Sequence, residues 1–158
     1  MKEVDKFEQE QVDLKESYQQ SLKNRNDRIV MRDDLMVQQQ VENVWQHMVG
    51  VICLNQTGRK KVKKLLPSFF KKFPTPELLL QSNKQEIATH LEKLGMKYVR
   101  SNRIWRMTED YLTWDGKDAT ELFGIGKYGS DSYRIFYKNE IPENVQDKEL
   151  KRYLNERI

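Results

Sequence analysis

The apolar residues of this chain recur at helical spacing and nowhere alternate convincingly with period two, a pattern that predicts helices without strands. Val41, Val44, Trp45, Met48, Val51 and Ile52 make the sharpest run, a buried helix ending near Asn55 and expected to be the central element of the core. In GRKKVKKLLPSFFKKF, Val62, Leu65, Leu66, Phe69 and Phe70 form one apolar face. Lys60, Lys61, Lys63, Lys64, Lys71 and Lys72 form the other, and Pro67 is expected to kink or split the segment. Pro74 and Pro76 end it, and Ser82 with Gln85 has the spacing of a capping box opening a helix that carries Ile87, Leu91 and Leu94 toward Gly95. A further helix is expected from about Lys97 to Trp114, after which Asp118 and Glu121 repeat the capping spacing before a short helix. Residues 1–32 are dominated by Glu, Gln, Lys, Asp and Asn, with only a thin stripe of Phe7, Leu14, Tyr18 and Leu22. They read as a polar leader or surface helix ahead of a domain spanning 33–158.

The run from Glu121 to Phe136, ELFGIGKYGSDSYRIF, reads as a helix ending, a tight glycine turn and a second helix beginning. Gly124 and Gly126 flank the apolar Ile125, so the turn can take positive φ and let another molecule approach the backbone. Amides at the start of the second helix, the positive end of its dipole and Lys127 together suit a phosphate. A plain helix C-cap is the alternative reading of the same residues. Pro142 breaks the chain after the second helix, and Asp147 stands directly before a helical pattern of Leu150, Tyr153 and Leu154. An N-cap role accounts for Asp147; the same position also keeps a carboxylate ionised beside a developing cation.

Composition narrows the function classes. At 158 residues the chain is one domain or two small lobes sharing a core, and about 70% of the unfolded surface can be buried. Lys and Arg total 28 against 24 Asp and Glu, for a formal charge of +4, which permits nucleic acid as a partner without demonstrating it. The single cysteine, Cys53, rules out an internal disulfide and a four-cysteine zinc or iron–sulfur site. His47 and His90 have no partner at ligand spacing, so no metal or other cofactor is expected. No run of 18 apolar residues exists and the first residues are charged, which argues against a membrane partner and a secretory signal and for a soluble intracellular protein. Trp45, Trp105 and Trp114 read as core, and the run from Arg59 to Lys64 as a solvated face in preference to a phosphate track.

The order of these features resembles the helix-hairpin-helix DNA glycosylases, in which a glycine hairpin precedes a Gly/Pro-rich loop and a catalytic aspartate. LFGIGKYGSDSYRIF followed by QDKELKRY is similar to the thymine and uracil glycosylase domain of the methyl-CpG-binding-domain mismatch enzymes, as are ICLNQT, FFKKFPTPE and LGMKYVRSNRI. The resemblance covers Trp45 to the C-terminus. It implies an all-α, two-lobed fold without an iron–sulfur cluster: a six-helix bundle over about 41–126 and a second lobe drawn from both chain ends. Asp147 matches the catalytic aspartate. Gly124, Ile125, Gly126, Lys127 and Gly129 would hold a phosphate of the damaged strand. Tyr128 stands where members that also cut the backbone carry lysine, so no Schiff base is expected and the product is an abasic strand.

Gln56, next to Thr57 in LNQT, takes one wedge position, where the mismatch-specific branch usually has arginine and other branches glutamine. Met96 takes the second, with a helix-end core role as its alternative. Gln38 corresponds to a pocket glutamine that reads a pyrimidine edge, with Gln39 and Gln40 as neighbouring alternatives. The implied protein is a nuclear, monomeric enzyme without lyase activity that removes thymine or uracil from mismatched double-stranded DNA. Its rivals are a non-catalytic DNA-binding hairpin module and an adaptor for protein partners.

Overall fold

The computed structural model describes residues 31–157; residues 1–30, most of the expected polar leader and anything they add to a second lobe, lie outside the described residues. Seven α-helices and three short 3-10 turns occur among the described residues, with no strand. The first turn is Val37–Gln39. Helix α1 (Val44–Leu54) opens with the Asn43 side chain accepting the Gln46 amide at 2.9 Å. Every residue from Trp45 to Cys53 is buried on it, because α1 is enclosed by α5 (Lys97–Tyr111), α2 (Arg59–Lys72) and α6 (Lys127–Tyr137). Trp45 is tied across the core: its indole donates to the Thr108 hydroxyl at 3.0 Å, which in turn donates to the Ile104 carbonyl at 2.6 Å. A buried polar group that is fully paired locks α1 to α5 without the cost of an orphan.

Helix α2 is not split by its proline, and one of its lysines departs from expectation. It runs through Pro67 as one element, because Leu66, Phe69 and Phe70 are buried on it. Each such side chain contributes about 2 kcal/mol, which together exceeds the roughly 3 kcal/mol a helix-interior proline costs. Lys63, assigned by pattern to the solvent face, is buried and its ammonium donates to the Asp33 carbonyl at 3.1 Å.

The capping box at Ser82 is also displaced. Asn83, one residue on, accepts the Glu86 amide at 2.9 Å, while the Ser82 hydroxyl donates back to the Leu79 carbonyl. These residues join α3 (Pro76–Leu80) to α4 (Lys84–His90), which stops short of Leu91 and gives way to a 3-10 turn, Glu92–Leu94. Helix α5 ends at Tyr111, before Trp114. Asp118 caps a 3-10 turn, Ala119–Glu121, through the Thr120 amide, where a capping-box helix was expected. The chain then enters α6 and, past Pro142, α7 (Lys148–Arg157).

Candidate active site

The hairpin is built where α5 meets the segment before α6. Asp110 of α5 accepts the Phe123 amide at 2.9 Å, and the Arg106 guanidinium lies 3.9 Å from the Phe123 ring centre, so the first limb is held by two exposed residues of α5. Ile125 is buried, anchoring the turn's apex inward. Gly124 has φ +81°, the left-handed conformation that only glycine adopts without strain. Gly126 does not share it: at φ −106° it is the extended N-cap of α6, and no side chain caps that helix. The amides opening α6 are thus left for an outside acceptor, as a helix start requires when uncapped.

Two of the residues expected at the phosphate also have partners within the fold. Gly129 is buried, and a Cβ there would stand 2.6 Å from Ile125 Cγ2 and 3.0 Å from Val51 Cγ1, so this glycine serves close packing of α6 on α1 and the hairpin. Lys127 forms an ion pair with Asp131 one turn on, at 2.8 Å, and Asp131 is buried. Among the described residues, Arg103 lines the same cleft with no ion pair, and its stem lies alongside Gly124. Its signal was present in LGMKYVRSNRI, but nothing in the spacing aims Arg103 at the hairpin.

That cleft has a volume of about 1110 Å³ and gathers Gln38, Gln56, Thr57, Tyr128 and Asp147 with the hairpin residues from Leu122 to Gly129. Asp147 is half-buried at the start of α7, where its Oδ1 accepts the Leu150 amide at 3.0 Å. Among the described residues no group hydrogen-bonds its other carboxylate oxygen. Tyr128 receives a hydrogen bond on its phenol oxygen from the Gln38 amide. Burial first, and then the Asp147 and Glu149 carboxylates, push the phenol's pKa up to about 12 against the pull of Gln38, so Tyr128 is a neutral O–H donor at ordinary pH. Of the three consecutive glutamines, Gln38 lines the cleft; Gln39 accepts the Met36 amide within the turn, and Gln40 the amide of Arg32, eight residues before it.

Gln56 and Met96 are exposed and stand on neighbouring loops: a crevice of about 440 Å³ is lined by Gln56 to Lys61 on one side and Leu94 on the other. Met96 is the left-handed N-cap of α5 and 45% exposed, so it is not a helix-end core residue; nor does it line the large cleft. The Thr57 hydroxyl turns to Arg100, a fully buried arginine that pattern reading passed over. His47 and His90 join no group able to hold a metal, and no such group exists among the described residues. No helix among them is long and apolar enough to cross a membrane.

No family model matches the chain. It is 27% identical over 92 residues to the Methyl-CpG-binding domain protein 4-like protein of Arabidopsis thaliana, covering 58% of this chain and 21% of that protein. It is 26% identical over 117 residues to the Thymine/uracil-DNA glycosylase of Pyrobaculum aerophilum, covering 70% of this chain and 50% of the relative. The chain therefore spans between about a fifth and a half of the length of these curated relatives. Among solved structures, a thermostable thymine-DNA glycosylase superposes with a TM-score of 0.62 at 21% identity, over 69% of this chain and 52% of that one. A non-covalent endonuclease III–DNA complex superposes with a TM-score of 0.60 at 14% identity, over 89% and 65%. The sequence matches establish a distant homology to the helix-hairpin-helix DNA glycosylases at the level of the family, and the structural matches add the shared all-α fold.

Proposed function

We propose that this protein is a monofunctional DNA glycosylase that flips thymine or uracil out of mismatched double-stranded DNA, opposite guanine, and hydrolyses its N-glycosidic bond. The observation that carries this reading is the convergence of Asp147, Tyr128, Gln38 and the uncapped start of α6 on one cleft. The cleft, of about 1110 Å³, has room for a base that enters still joined to its strand.

The residues divide the work by chemistry. Backbone amides at Gly126 to Tyr128 take a phosphate next to the extruded nucleotide, a contact that fixes register without reading sequence. The Tyr128 hydroxyl and the Gln38 amide offer donor and acceptor groups to a pyrimidine edge. As the C1′–N1 bond breaks, its electron pair leaves with the base and the sugar becomes oxocarbenium-like; the ionised Asp147 stabilises that charge. Water then bonds to C1′ and gives a proton to Asp147. Tyr128 offers no amine for a sugar Schiff base, so the strand stays intact.

The test is a strand-cleavage assay on G·T, G·U and A·U duplexes. The reading expects alkali-labile sites on G·T or G·U and little cutting before alkali. Strong alkali-independent cutting with a borohydride-trappable adduct would refute the monofunctional assignment. Duplex binding without excision of any base would favour a non-catalytic hairpin module.

A further inference from the structure

Four non-glycine residues of the described chain have left-handed backbone, and two of them, Asn139 and Asn144, are of the type that tolerates it. The other two are Gln56 (φ 59°) and Met96 (φ 50°), for which that conformation costs roughly 1–2 kcal/mol each. Strain of this kind persists only where the surroundings over-determine it. What these two positions share is Arg100, 1% exposed, beneath both loops.

Its Nε donates to the Gly95 carbonyl at 2.9 Å, one terminal nitrogen to the Ile52 and Cys53 carbonyls at 3.1 and 2.9 Å, and the other to the Thr57 hydroxyl. The acceptors are thus the residue before Met96, the residue after Gln56 and the last turn of α1. Among the described residues no carboxylate pairs with Arg100; the negative end of the α1 dipole supplies the compensation. Taking an uncompensated cation out of water costs several kcal/mol, and a planar fork with five donors is the side chain that can satisfy acceptors on two separate loops at once.

We infer that Arg100 is a positioning residue for base extrusion: its guanidinium holds the Gln56 and Met96 loops at one fixed separation, so that both prongs enter the duplex together. The inference rests on the glycosylase reading above. Arg100 is itself buried from DNA, so its influence passes through the two prongs. A role confined to holding the fold would make its loss equally harmful whether or not the prongs are present.

The experiment is a mutant cycle joining Arg100→Lys to the double variant Gln56→Ala/Met96→Ala. Extrusion is read by 2-aminopurine fluorescence beside the mismatch, and excision by single-turnover kinetics. Arg100→Lys alone is expected to keep undamaged-duplex affinity within about threefold of wild type while extrusion and excision fall about tenfold or more; in the background lacking both prongs it should change them less than about twofold. Equal losses in the two backgrounds, or no loss in either, would overturn the inference. If Arg100→Lys does not fold by circular dichroism, Thr57→Val removes one acceptor and takes its place in the same cycle with the same two outcomes. A wild-type chain that extrudes without excising would sink the catalytic reading and leave the cycle to be judged on fluorescence. One that does neither would overturn both.

Discussion

Gln38 and Tyr128, 90 positions apart in sequence, meet across the cleft through a hydrogen bond from the glutamine amide to the phenol oxygen. The bond leaves the phenol hydrogen free to point toward a substrate and fixes the amide beside it. Tyr128→Phe should therefore lower single-turnover excision by about threefold to tenfold, the scale of the net contribution of one hydrogen bond. Because the phenol's pKa stands at about 12, wild-type excision should show no inflection from Tyr128 between pH 7 and 10. A pH–rate profile of the two proteins checks both statements; a wild-type inflection near pH 9 that vanishes in the variant would contradict the neutral phenol.

The hairpin glycines separate binding from packing. A Cβ at Gly126 meets no atom of the described residues within 4 Å, so Gly126→Val should fold normally and weaken binding to mismatched and undamaged duplex alike. Gly129→Ala drives a methyl to 2.6 Å from Ile125 Cγ2 and should cost about 1–3 kcal/mol of stability by overpacking. Thermal melts and fluorescence anisotropy on the pair test the division. A Gly126→Val protein with unchanged duplex affinity would remove the hairpin from the phosphate contact.

His47 is buried, with Nε2 at 2.6 Å from the Ser132 hydroxyl and Nδ1 without a partner, and burial holds its pKa down to about 3. The unfolded chain protonates His47 near pH 6.5 while the folded protein keeps it neutral. Its contribution is fully present above pH 6.5 and is lost as pH falls toward 3. Between pH 7 and 5 this amounts to about 2 kcal/mol. Urea unfolding should show that loss in wild type and a flatter dependence in His47→Gln; parallel curves for the two proteins would assign the acid sensitivity elsewhere.

The all-helical class and the core face of α1 were legible because helical periodicity over long segments reports directly on burial, as Trp45, Met48 and Ile52 show. Asp147 was legible for a local reason, since its place before α7 is a cap position whatever else it does. Helix boundaries were less so: Asn83 outcompetes Ser82 for the α4 cap, and packing carries α2 through Pro67. Pairings between distant segments were invisible. Nothing in the pattern tells that Lys63 turns inward to Asp33 or that Arg100 reaches residues 52, 53, 57 and 95. Such contacts depend on how helices pack, and a basic residue in a sequence carries no mark of which face it will occupy.

The claim that Asp147 performs the chemistry is tested most directly by Asp147→Asn, because asparagine keeps the shape and can still accept the Leu150 amide, so the start of α7 survives. Glu143→Gln, at an exposed loop position, is the control. Asp131 is unsuited, being paired with Lys127. Single-turnover excision on a G·U duplex should fall about a hundredfold or more in Asp147→Asn, the scale of losing one preorganised electrostatic group, with duplex affinity and melting temperature near wild type and Glu143→Gln fully active. Excision by Asp147→Asn at the wild-type rate would contradict the account.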